Sequence, residues 1–117
     1  MANLMIAQRQ YEDRTLAGWY NVGPDDCNCV TTGALVDLFC GVWGEGVSWE
    51  NRAEENALHE ANFLKLDCTK LKTTFGWRPK WHIGEAVKTT VEWSKAWMRG
   101  ENVAEVMDAQ IMAFLEV

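Results

Sequence analysis

The last third of this 117-residue chain is written in helical period. Ile83, Val87, Thr90, Val91, Ser94 and Trp97 fall on one face at three- and four-residue spacing, and Gly100 closes the run. Asn102, followed three residues later by Glu105, reads as a capping box. Val103, Val106, Met107, Ile111 and Phe114 then mark a terminal amphipathic helix. Helix is therefore the dominant element, and the rest of the chain has to be read around it.

Upstream the signals are shorter and mixed. Leu4, Met5, Ala7 and Gln8 lead into Tyr11, which predicts an opening helix that ends near Leu16, with Gly18 as its stop. Thr31 or Thr32 caps a helix carrying Leu35, Leu38, Phe39, Val42 and Trp43, stopped by Gly44. Asp67 or Thr69 starts a helix of one or two turns that stops at Gly76, and Pro79 makes residues 77–81 an extended connection. Between these helices, Trp19–Pro24 and Val47–Glu50 read as short strands, and Asn62–Asp67 as a strand or extended segment. The expected fold class is mixed α/β, rich in helix: a small sheet of short strands with about five helices, formed by residues 1–117 as a single domain.

With 48% of its residues hydrophobic and two prolines, the chain has the means to build one core, and its length leaves no room for two globular domains. No apolar run reaches membrane-spanning length, and residues 1–9 lack the basic and apolar regions of a signal peptide, so a cytoplasmic location is expected, with no membrane partner. The net charge of −6 argues against nucleic acid as a partner. That charge is unevenly spread, and five cations, Lys65, Lys70, Lys72, Arg78 and Lys80, fall within residues 65–80. They read either as a solvated surface or as a site for a compact anion such as a diphosphate. Cys27, Cys29, Cys40 and Cys68 read as reduced thiols, and with His59 and His82 far apart no metal site is expected.

Several kinds of chemistry are missing from the sequence. The nearest glycine cluster, Gly41 to Gly46, has the wrong spacing for a dinucleotide loop and sits at the end of a helix, where the dipole repels phosphate. Neither Tyr11 nor Tyr20 is followed by a lysine four residues on, and no P-loop, nucleophile elbow or zinc-protease motif occurs. The polar residues left for consideration lie in His59-Glu60-Ala61-Asn62-Phe63-Leu64-Lys65-Leu66-Asp67, where adjacent residues of an extended chain point to opposite faces and do not make a dyad. His82 reads as a helix-entry residue. Most of the seven tryptophans read as core, with Trp49 and Trp81 also suited to stacking against a base.

Four blocks carry a resemblance: Gly18-Trp19-Tyr20-Asn21-Val22-Gly23-Pro24; Trp43-Gly44-Glu45-Gly46-Val47-Ser48-Trp49-Glu50; His59 to Lys70; and Phe75-Gly76-Trp77-Arg78-Pro79-Lys80-Trp81. With Thr90 to Trp93, Gly100-Glu101 and Gln110-Ile111, they resemble the C-terminal part of CDP-glucose 4,6-dehydratases, NAD-dependent lyases of the extended short-chain dehydrogenase/reductase family. The Gly-Trp-x-Pro element is common to many nucleotide-sugar enzymes. The His-Glu-Ala block together with Trp-Gly-Glu-Gly is more specific. Asn62 and Phe63 stand where that family often has histidine and tyrosine, so hydrogen bonds from those positions are not carried over.

The resemblance implies a substrate lobe without the NAD-binding domain, which in the family holds the cofactor and the acid–base residues. It implies no catalytic residue in this chain, no cofactor bound by it alone, and at most weak binding of a nucleotide sugar, with His59, Glu60 and Lys65 nearest the ligand. Two further expectations follow. The apolar surface that such a lobe turns toward its NAD domain needs another cover, which makes a homo-oligomer expected, through the terminal helices or the Leu4–Tyr11 helix. Alternatively, the lobe complements a separate NAD-binding domain as half of a split dehydratase.

Overall fold

The computed structural model describes residues 1–52 and 65–116. Among the described residues five α-helices succeed one another: α1 (Ala2–Glu12), α2 (Thr32–Trp43), α3 (Thr69–Phe75), α4 (Ile83–Met98) and α5 (Val103–Glu116). Two single 3-10 turns, Arg14–Leu16 and Asp26–Asn28, interrupt the connections. The expected small sheet is absent among the described residues, and the α/β reading is corrected to an all-helical one.

The strand segments fail for an identifiable reason. A strand exists only when its N–H and C=O groups are exchanged with a partner, and these segments are held by side chains instead. Trp19–Pro24 runs beside residues 66–68 so closely that a Cβ on Gly23 would stand 3.3 Å from the Cys68 Sγ. Its ties are the Asn21 amide donating to the Asp67 carbonyl and the Lys70 ammonium donating to the Trp19 carbonyl. Val47–Glu50 lies against α2, where the Trp49 ring covers Gly33 and its Nε1 donates to Asp37 Oδ1 at 2.7 Å. Of Asn62–Asp67, residues 62–64 lie outside the described residues, and Lys65–Asp67 joins no ladder.

The helix boundaries follow local chemistry. The Asp13 carboxylate takes the Thr15 N–H and hydroxyl, so α1 ends at Glu12 and a 3-10 turn occupies residues 14–16, where a longer helix was expected. Thr31 caps α2 by accepting from the Ala34 N–H, and Gly44 at φ +73° closes it. At the end of α4, the Glu101 N–H reaches the Ala96 carbonyl and the Gly100 N–H reaches Trp97, a Schellman closure that requires the left-handed φ of Gly100. Asn102 then caps α5 through the Ala104 N–H while its amide donates to Glu105.

α4 is the central element, with α2 and α5 packed on it. Val87, Val91 and Ala96 of α4, with Cys68 and Leu71, are the buried apolar residues among those described. Trp97, expected on the packed face, is exposed instead. Cross-links reinforce the packing at helix ends: Lys95 donates to the Trp43 carbonyl at 2.7 Å, and Gln110 donates to the Thr89 carbonyl at 3.0 Å. The molecule is only 21 Å thick, about two helix diameters. Its accessible surface is 9408 Å², where a close-packed monomer of 13.3 kDa has roughly 6,500 Å².

Candidate functional site

Lys65 lines an open pocket of about 420 Å³, together with Pro24, Asp26, Asp67, Cys68 and Lys72. The pocket forms where the loop after Trp19–Pro24 meets the start of α3. Asp67 organises that start, its Oδ1 accepting the Thr69 N–H at 2.8 Å, and Gly76 at φ +64° ends the helix. His59 and Glu60, the other two residues expected near a ligand, lie outside the described residues.

Both lysines of the pocket already hold carboxylates. Lys65 pairs with Asp26, and Lys72 with Asp25, each at 2.5 Å. Lys70 and Lys80 also bond within the chain, to the carbonyls of Trp19 and Phe114. Four of the five cations of residues 65–80 therefore serve as internal ties, and an anion entering the pocket has to compete with Asp25 and Asp26. The two aspartates were not singled out from the sequence, whereas Lys72 belonged to the run of cations read there as a solvated surface or an anion site. Their signal was charge complementarity: two acids directly after Gly23-Pro24, against a lysine-rich segment from residue 65.

The hydrogen bond from Lys72 holds the Asp25 carboxyl below its ordinary range; partial desolvation opposes this, and the charges of Lys72, Arg78 and His82 add to the lowering. Lys72 is raised by the same bond, and Lys65 by its bond to Asp26. The Thr69 hydroxyl and N–H lower Asp67. A carboxyl depressed in the folded state stabilises above its unfolded pKa, and that contribution is lost as pH falls through the folded value. Acid unfolding should therefore steepen below about pH 4. Asp25→Asn should flatten that limb when thermal midpoints are followed by circular dichroism. An unchanged acid limb would remove Asp25 from the account. On the alkaline side, the raised Lys72 keeps its contribution below its unfolded pKa and loses it as pH rises through the folded value.

The other expected positions are placed elsewhere. Trp49 spends its N–H on Asp37 and lies over Gly33 of α2. Trp81 sits edge-on to Phe114 at 4.9 Å, in an apolar groove. His82 is the N-cap residue of α4, as its position suggested, with its own N–H bonded to Glu85 Oε2 at 2.8 Å. Residues 41–46 do not fit the pyrophosphate of a dinucleotide. Gly44 closes the carboxyl end of α2 by bonding back to Cys40, and the Trp43 carbonyl is held by Lys95. Among the described residues, no three His, Cys, Asp or Glu side chains converge on a metal position, and no helix is long and apolar enough to cross a membrane.

No protein-family model matches the chain. Over 86 residues, 72% of its length, it is 40% identical to the CDP-glucose 4,6-dehydratase of Salmonella typhimurium (strain LT2). The chain is related to a segment of that dehydratase. It spans about a quarter (23%) of the dehydratase's length, so the similarity is to a piece of the enzyme. The Lys65 pocket and the apolar groove are thus features of a dehydratase-related fragment.

Proposed function

We propose that this chain is a substrate lobe of the CDP-glucose 4,6-dehydratase type, a single unit over residues 1–117 that corresponds to the C-terminal part of such an enzyme. The relation to the dehydratase at 40% identity carries this reading. On it, the chain does not catalyse dehydration alone. Oxidation at a sugar carbon needs a hydride acceptor held against the substrate, and the sequence has neither a dinucleotide loop nor the tyrosine–lysine spacing. NAD would come with another domain. The ligand is a nucleotide sugar, met by Lys65 together with His59 and Glu60. Binding is weak because Lys65 and Lys72 give up carboxylates to take phosphate. The setting is cytoplasmic.

Calorimetry with CDP-glucose and with CDP tests the reading. Saturable heat with a dissociation constant below about 1 mM, near 4 kcal/mol of binding, is the expected result, reduced by Lys65→Ala. No heat with either ligand removes the binding role. Turnover of CDP-glucose with NAD by the purified chain overturns the non-catalytic one.

A second reading rests on a separate observation. Met1, Leu4 and Ile111 are all more than half exposed and line one apolar groove, an apolar surface that a stable molecule covers by association. It is covered by further copies of the chain, or by a separate NAD-binding domain that completes a split dehydratase.

A further inference from the structure

Trp19 is 92% exposed, more than any other large apolar side chain described, and its indole N–H has no partner among the described residues. The ring stands at an open hollow of about 510 Å³ between α1 and residues 18–21, where the polar lining is Asn3, Gln10, Tyr20 and Asn21. No charged side chain among the described residues lines it. Three of the polar groups are fixed in one sense by bonds they already make. The Gln10 amide nitrogen donates to the Leu16 and Gly18 carbonyls at 3.3 and 3.1 Å, and that of Asn21 to the Asp67 carbonyl at 3.2 Å. The Tyr20 hydroxyl donates to the Leu16 carbonyl at 2.7 Å. A carbonyl only accepts, so both amides are oriented and the hydroxyl proton is spent. In each of the three, oxygen is left to accept.

We propose that this hollow binds a neutral, polyhydroxylated ring, a sugar, with one C–H face on the Trp19 indole and its hydroxyls donating to Gln10 Oε1, Asn21 Oδ1 and the Tyr20 oxygen. The lining selects against other small ligands. An anion meets acceptors and no cationic side chain in the lining. A cation, which an exposed indole attracts, meets the Lys70 ammonium, which donates to the Trp19 carbonyl at 3.2 Å and lies 4.6 Å from the centre of the Tyr20 ring. A purely apolar ligand strands the acceptors away from water. A sugar carries a donor on every hydroxyl and an apolar face besides. The Asn3 amide, uncommitted among the described residues, meets a hydroxyl in either sense. Asn21 lines this hollow and its partner Asp67 the Lys65 pocket, so the two are neighbours with no lining residue in common. The proposal does not rest on the substrate-lobe reading.

Nuclear magnetic resonance on the isotope-labelled full chain tests it, with methyl α-D-glucopyranoside as the probe. The Trp19 indole resonance, identified by its loss in Trp19→Ala, is expected to shift saturably in the millimolar range, together with the side-chain amides of Gln10 and Asn21. Trp19→Ala, at so exposed a position, should keep the helical circular dichroism and weaken half-saturation of those amide shifts about tenfold. Trp97→Ala, at an indole 63% exposed outside the hollow, should leave the titration unchanged. No saturable shift in the wild type, or one undiminished in Trp19→Ala, overturns the site. A larger response at Trp19 to choline, inorganic phosphate or uracil than to the glucoside overturns the ligand class. The glucoside carries no phosphate, so its failure leaves the calorimetric test with CDP standing, and failure of that test leaves this one standing.

Discussion

Leu71→Ala is expected to cost about 3 kcal/mol of folding stability, a large share of the roughly 5–15 kcal/mol that holds an ordinary domain together. Leu71 is the one large side chain with no exposed surface among the described residues, and only four other apolar residues there are buried: Cys68, Val87, Val91 and Ala96. It sits in the middle of α3, a helix of seven residues. A helix that short does not persist in water without tertiary packing. The loss therefore has two parts: the cavity left by the missing methyl groups, and the weakened docking of the segment that positions Lys65, Asp67 and Lys72. Urea unfolding followed by far-ultraviolet circular dichroism measures it. Val30→Ala, at a position 41% exposed and outside the apolar surface described above, serves as the comparison and should shift stability by less than about 0.5 kcal/mol. Equal effects from the two variants would show that Leu71 does not anchor the core.

The helices were legible because their signals are local. Thr31, Gly44, Gly76, Gly100 and Asn102 act through bonds to backbone groups a few residues away, and each is found doing so. The strands were misread because alternation reports only that one side of a segment is covered, not what covers it. For Trp19–Pro24 the cover is the stretch around Cys68, and for Trp49 it is the Gly33 surface of a helix. Neither partner offers a backbone ladder. Lys65 was legible as a polar position beside a family-like block, but its ion pair with Asp26 joins residues 39 apart, beyond the reach of any spacing rule. The relation to the dehydratase could be read from the blocks themselves, because identity in short conserved-looking runs does not depend on the fold being right.

The second large effect is expected at Asn28, the buried polar residue among those described. Its position in the chain gives no hint of its task, because the groups it serves are more than fifty residues away. Asn28 Oδ1 accepts the Ile83 N–H at 3.0 Å, and its side chain meets His82 Nδ1 at 3.2 to 3.3 Å. The first N–H groups of a helix have no partner within it. Here one of them is satisfied from the Asp26–Asn28 turn, which fastens the loop beside the Lys65 pocket to the amino end of α4. Asn28→Ala strands that donor away from water and removes the fastening, at a cost of about 2 kcal/mol. Asn28→Asp keeps an acceptor and sets a negative charge at the positive end of the helix, so it should recover most of the loss. Thermal melts of the three proteins decide the matter. If Asn28→Ala melts within experimental error of the wild type, Glu85 alone caps α4 and the loop is held by its lysine–aspartate pairs.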